Sequence, residues 1–235
     1  MRTRTRGAAL GATRPPRTAR RQLSLGRVDE MHTDVPDLLL VQPNVERDAP
    51  VAVEWLCGDA GRTTMRLMGN NEDNVGPTTL DAERKRVQGF IDSADQLTWM
   101  LHLQSRTVGV IWVDLTSTRH VRAPGVHIMI GEVTARGRGV GRGALVAVVN
   151  HLRQIGQYKR VHSRHLESNL PATRLLQSVG FDDVGEPYKE DDGPDLFWQN
   201  MQMDIQDVGG QAKPYQVRQV VRLAERYDLR VEKER

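Results

Sequence analysis

The sequence predicts an α+β domain, and three observations predict it. First, β-rich and helix-like runs alternate along residues 38–203 in the order β-α-α-β-β-β-α-β-α-β-β. Second, a glycine–arginine turn, Arg136-Gly137-Arg138-Gly139-Val140-Gly141-Arg142-Gly143, separates a β-like run, Val126–Ile130, from an apolar helix-like run beginning at Ala144. Third, a short strand is followed by a segment carrying its own helix start and stop signals, Asn169 to Phe181.

The elements follow from local pattern. Leu38-Leu39-Leu40-Val41 reads as a first strand. Asp48 is placed to cap a helix running through Cys57, and Asp81 to cap a second running to about Ala94. Leu97–Leu103 and Val108–Leu115 are β-rich runs joined by a four-residue hairpin loop, residues 104–107. A loop over Thr116–Pro124 leads to the strand Val126–Ile130, then the glycine-rich turn and a helix to about Ile155. Val161–Leu166 is a further strand. Asn169 is a favourable N-cap, Pro171 fits the first turn, and Gly180 is a favourable stop. Strands around Val184–Tyr188 and Leu196–Met203 complete the unit, and no internal repeat is visible.

The charge is unevenly spread along the 235 residues. The first 30 residues hold eight arginines against Asp29 and Glu30, leaving 25 basic and 28 acidic residues elsewhere. The net positive charge therefore belongs to an arm. Residues 1–36 lack core-forming periodicity and are expected to be disordered. Three readings of the arm stay open: a nucleic-acid-binding tail, a transit peptide, or an over-extended start with Met31 as initiator, the last being preferred. Arg20-Arg21 is followed by no apolar stretch, which argues against an export signal. Residues 37–204 form the domain, and residues 205–235 read as a linker with a short amphipathic helix. No apolar run reaches the length of a membrane span. A lone cysteine, Cys57, excludes an intramolecular disulfide, fits a reducing, cytoplasmic setting, and is expected to be a buried, inert thiol.

The turn at 136–143 has a definite chemistry. A strand passing through glycines into a helix leaves backbone N–H groups unpaired at the positive end of the helix dipole, a site suited to phosphate. Three arginines add charge and paired donors. A dinucleotide fingerprint needs G-x-G-x-x-G after a first strand, and a phosphate-binding Walker loop needs Gly-Lys-Ser/Thr; neither is present here. The spacing is R-x-x-G-x-G on Arg136, Gly139 and Gly141. An RGG-like RNA-binding tract is the alternative, and the strongly apolar segments on both sides oppose it.

That spacing, together with N-x-x-A-x-x-L-x-x-x-x-G-F from Asn169 to Phe181, resembles the GNAT N-acetyltransferase superfamily. Ile128-Met129-Ile130-Gly131-Glu132 resembles its RimJ/RimL-like branch. The resemblance spans roughly residues 37–204 and implies an α/β/α layered fold around a mixed, mostly antiparallel sheet of about seven strands with a splayed central pair. It implies acetyl-CoA as co-substrate and no metal, with a primary amine as acceptor: a protein N-terminus or a small molecule. It places Met129, Ile130 and Gly131 along the thioester and pantetheine, with Arg136, Gly137, Arg138, Gly139, Val140, Gly141 and Arg142 at the pyrophosphate. Asn169 would steady the pantetheine arm.

The residues offer two candidates for the general base. His127 alternates with Val126 and Ile128, faces the other side of its strand, and titrates in the useful range; a hydrogen-bonded, partly buried structural histidine is its alternative. Glu132 is the second candidate, acting through water; a structural carboxylate near Arg136 is its alternative. Leu176 stands where many members of the superfamily have a tyrosine, so the leaving thiolate has no phenol to protonate it. His162 and His165 point to opposite faces of one strand and form no metal site. The loop Met65–Asp81, Trp99, Trp112 and Asp114 are candidates for the acceptor pocket. A non-catalytic acyl-CoA-binding or sensor domain is the rival function. Nucleic acid is expected only through the arm, and the oligomeric state is open between monomer and homodimer.

Overall fold

The computed structural model describes residues 28–70, 75–190 and 196–206. Most of the arm, the expected C-terminal helix and the acidic loop around Glu72 lie outside the described residues.

The strands are β1 (Glu30–His32), β2 (Leu38–Val41), β3 (Gln96–Leu103), β4 (Arg106–Asp114), β5 (Gly125–Ile130), β6 (Arg160–Leu166), β7 (Asp182–Lys189) and β8 (Phe197–Asp204). The helices are α1 (Val45–Leu56), α2 (Gly58–Leu67), α3 (Leu80–Asp92), α4 (Val140–Ile155) and α5 (Leu170–Val179), with a 3₁₀ turn at Val133–Ala135. One eight-stranded sheet runs in the order β1-β2-β3-β4-β5-β6-β8-β7. All neighbours are antiparallel except β5 and β6, which are parallel and share a single register pair, Gly125 with His162. Ser163 Oγ donates to Val126 O at 2.8 Å, and beyond that point the two central strands diverge. The expected splay is there.

Alternation along the strands sorts the core into two layers. Leu101, Ile111, Val113 and Val126 face Ala144, Leu145 and Val148 of α4 and Leu176 of α5. Met100, Val110, Trp112 and Met129 face Ala52, Trp55 and Leu56 of α1. Helices therefore cover both faces, and strands near the middle are apolar on both sides.

Several local expectations are corrected. The sheet has eight strands because residues 28–32, counted in the arm, join the fold. The Trp99 indole donates to Val28 O at 3.2 Å, Gln42 Nε2 donates to the same carbonyl at 2.7 Å, and Met31 pairs with Leu40. Asn44, not Asp48, caps α1, its side chain accepting from Arg47 N. Asp48 is fully buried, accepting from Asn44 N at 2.7 Å and from Thr107 Oγ1 at 3.0 Å. Thr79, not Asp81, caps α3. A separate helix, α2, occupies residues 58–64, to which the sequence pattern assigns no element, and the first three residues of the expected loop. The hairpin turns on two residues, Gln104 and Ser105, with φ of 53° and 62°, rather than four. Cys57 sits at the α1–α2 junction and is partly exposed.

Candidate active site

The site is built around the splay. At one end, β5 runs through the 3₁₀ turn into α4. Gly139 is the N-cap residue of α4, with φ of 82°, and no side chain caps that end. A left-handed N-cap is easy for glycine and strained for other residues. The first N–H groups of α4 therefore open into a cleft of about 500 Å³ lined by β5, the glycine turn, the end of α2 and the start of α5. A Cβ at Gly141 would lie 3.0 Å from Leu175 Cδ2, so glycine keeps the cleft wall close to α5. Exposed donors, a positive helix end and a mostly apolar trough fit a phosphorylated ligand with a long thin arm.

The arginines divide the work. Arg136 turns inward, donating from Nε to Ile130 O at 3.0 Å and from Nη2 to Thr64 Oγ1 at 2.8 Å. It clasps the end of β5 to α2, so its charge lines the cleft while its hydrogen bonds hold the wall. Arg142 reaches Asp34 at 3.3 Å, and Arg138 is exposed. Gly131 has a packing role: a Cβ there would fall 2.1 Å from the Trp55 ring. Met129 and Ile130 line the cleft between that glycine and the splay.

Asn169 sits where the cleft passes through the sheet. Its Oδ1 accepts from Ala172 N at 3.2 Å and its Nδ2 donates to Leu67 O at 3.3 Å, tying α5 to α2. A narrower space of about 190 Å³ continues from there, lined by Met68, Trp112, His127, Arg164, His165, Leu176 and Trp198 among others. His127 stacks on Trp112 with ring centroids 5.1 Å apart. Its Nε2 lies 3.0 Å from Asp114 Oδ2. The β4–β5 register sets Trp112 opposite His127 and Asp114 opposite Gly125, so the two titratable side chains are diagonal neighbours on one face. Burial pushes the Asp114 carboxyl up, but the close His127 ring and the hydrogen bond from Gln96 outweigh it and hold the group below its ordinary value. It is a carboxylate at neutral pH.

Glu132 is placed differently. It caps the 3₁₀ turn, its Oε1 accepting from Thr134 Oγ1 at 2.8 Å and Thr134 N at 3.2 Å. The Thr134 hydrogen bonds, with Arg106 and Arg136 nearby, hold its carboxyl below the usual range. Trp99 is fully buried in the α4-side layer, away from the acceptor side. Arg164 lies over the Trp198 ring at 4.1 Å and pairs with Glu190 and Tyr188. The alternation of β6 had flagged neither this pair nor the environment of His165. Among the described residues no group of three or more His, Cys, Asp or Glu side chains is arranged to hold a metal.

Residues 37–182 match the family model described as the acetyltransferase (GNAT) domain. The chain belongs to the GNAT acetyltransferase family. Solved structures share the GNAT fold at low sequence identity. Mycobacterium smegmatis RimJ in complex with CoA-disulfide aligns at 17% identity and a TM-score of 0.64, over 84% of this chain and 96% of that one. RimL, the ribosomal L7/L12 alpha-N-protein acetyltransferase in complex with coenzyme A, aligns at 15% and 0.61, over 75% and 98%. Spermidine N-acetyltransferase from Vibrio cholerae, with CoA and spermine, aligns at 16% and 0.58, over 72% and 96%. An uncharacterised protein of Methanocaldococcus jannaschii is 33% identical over 96 residues, which is 39% of this chain and 19% of that protein. The GNAT family and the layered α+β fold thus agree with the sequence reading. No helix among the described residues is long and apolar enough to cross a membrane.

Proposed function

We propose that this chain is an acetyl-CoA-dependent N-acetyltransferase acting on a primary amine by direct attack in a ternary complex. One observation carries the reading: the cleft at the uncapped start of α4 and the narrow space lined by His127 adjoin, sharing Ile128, Asn169 and Leu175 as walls, and His127 lies 3.0 Å from Asp114. The α4 N–H groups, with Arg138 and Arg142, hold the pyrophosphate; Met129, Ile130 and Asn169 line the pantetheine arm. Acetyl-CoA supplies the acetyl group as a thioester and departs as a thiol. With Nε2 directed at Asp114, His127 keeps Nδ1 as the acceptor for a proton of the incoming ammonium. Asp114 orients the ring and stabilises its charged form. Glu132, bound by Thr134 and lowered in pKa, serves as a cap and not as the base. The amine is a protein N-terminus, as for the L7/L12 enzyme, or a polyamine, as for the Vibrio cholerae enzyme. The single cysteine of the sequence fits a reducing, cytoplasmic setting.

Equilibrium binding of acetyl-CoA and CoASH release over peptide and polyamine libraries test the proposal. The expected result is binding by the parent, its loss in Arg138→Glu with Gly139→Glu, and CoASH release with at least one amine. No affinity in the parent refutes it. Affinity without release across the libraries returns the non-catalytic acyl-CoA-binding reading, which buried Leu176, with no ionisable group, favours.

A further inference from the structure

We infer that His165 is a second proton-transfer group of this site, carrying a proton from the attacking nitrogen to the departing sulfur; the inference rests on the acetyltransferase reading above. His165 lies near the end of β6, opposite Gln199 of β8 and two residues beyond Ser163, where β5 and β6 part. It is 6% exposed and lines the narrow space beside Leu176 and Asn169. Its Nδ1 is 2.8 Å from Leu166 O. A carbonyl only accepts, so Nδ1 carries the hydrogen and Nε2 keeps the lone pair. That Nε2 is buried and has no hydrogen-bond partner.

An unpartnered acceptor in a buried wall is costly, and such groups are rare unless a ligand or water completes them. Apart from His127, whose ring faces Asp114 on the other side of the sheet, the other polar side chains at this point of the opening are already used. Ser163 is on Val126 O, Asn169 on Ala172 and Leu67, and Arg164 on Glu190 and Tyr188. Leu176, packed in the same wall, has no proton to give. On the sheet face opposite His127, His165 Nε2 is thus the spare proton-accepting atom in the lining of the narrow space that would receive the thioester.

The step balances. His127 removes one proton from the ammonium, and the neutral nitrogen attacks the thioester carbonyl. An N–C bond forms, and the carbonyl electron pair moves to oxygen. The positively charged nitrogen of this adduct gives its extra proton to His165 Nε2. The oxygen pair then reforms the carbonyl as the C–S bond breaks, and sulfur, leaving with that bond pair, takes the proton from Nε2. Amide and thiol depart, and the ring is neutral again with Nδ1 still on Leu166 O.

The test compares the parent with His165→Gln, using acetyl-CoA and acetyl-seleno-CoA, whose selenol is far more acidic and leaves without a proton. With acetyl-CoA the variant should lose on the order of 10²-fold in kcat, with the dissociation constant little changed. With the seleno ester most of that loss should vanish. A variant as fast as the parent overturns the inference, as does an equal loss with both esters. Should the variant not fold, the histidine ¹⁵N spectrum of the parent decides: CoA addition should move the Nε2 signal of His165, and an unmoved signal overturns the inference. A parent that neither binds nor turns over acetyl-CoA refutes the proposed function itself, a different result from a parent that works with an equally active variant.

Discussion

Gly131 and Asp114 illustrate how single residues govern this site. Gly131 closes β5 against the Trp55 ring, where an added methyl would lie 2.1 Å from Cδ2. Gly131→Ala is expected to cost about 1–3 kcal/mol through overpacking, read as a lower denaturation midpoint, and to weaken acetyl-CoA affinity as β5 shifts. Asp114 holds His127 at 3.0 Å while Gln96 Nε2 holds its other oxygen at 2.9 Å. Asp114→Asn keeps the size and removes the charge. It should lower kcat by on the order of 10²-fold and leave acetyl-CoA binding nearly unchanged, measured by CoASH release beside equilibrium titration. Equal activity in the variant would remove the pair from the mechanism.

Among the elements, α4 and the β3–β4 hairpin owe most to backbone conformation. α4 begins on left-handed Gly139 with no side-chain cap, which leaves its first N–H groups to a ligand. The hairpin turns on Gln104 and Ser105, both at positive φ, a conformation that Asn-Gly adopts far more readily. Gln104→Asn with Ser105→Gly should therefore stabilise the protein by about 1 kcal/mol without touching the site, seen as a higher urea midpoint with an unchanged slope. The four-residue loop expected from composition was too long because Gln104, Ser105 and Arg106 are all polar and mask the β preference of the single Thr107. Pairing with Leu103 and His102 fixes Arg106 and Thr107 in the strand. α2 was invisible for a similar reason: Gly58 and Gly61 interrupt a polar stretch, and Gly61 is required only because the Leu56 backbone lies where a Cβ would be, 2.3 Å away.

At the scale of the whole molecule, the burial of two histidines sets an acid response. Burial, then Arg47, lowers the His102 pKa against the opposing pull of Asp48 and Glu30. Burial, then Arg122 and Arg160, lowers that of His162. The folded state thus prefers both rings neutral, while the unfolded chain takes up protons below about pH 6.5. Stability is complete above that pH and falls as pH drops through the lowered folded values. Asp114, whose folded carboxyl pKa is depressed, adds a second loss at lower pH, as it becomes protonated. Thermal melts from about pH 8 to about pH 3 should show a decline in two stages, and His162→Gln should flatten the first.

The sequence by itself determined the order of the main elements, the glycine-rich turn into α4 and the capped helix at Asn169. These are local facts: glycine spacing, helix caps and apolar periodicity act within a few residues. It also named His127 and Asp114, but as unrelated candidates. Only the tertiary structure decided that they form a pair, because the β4–β5 register sets them diagonally. It likewise decided that Arg136 clasps Thr64, 72 residues away, instead of pointing only at the turn's ligand. The edge strand at Glu30–His32 was hidden in an arginine-rich arm, since three residues carry no period and gain a place only by pairing with β2. His165 belongs with these, for its lone nitrogen acquires meaning only from what the fold leaves unpaired around it.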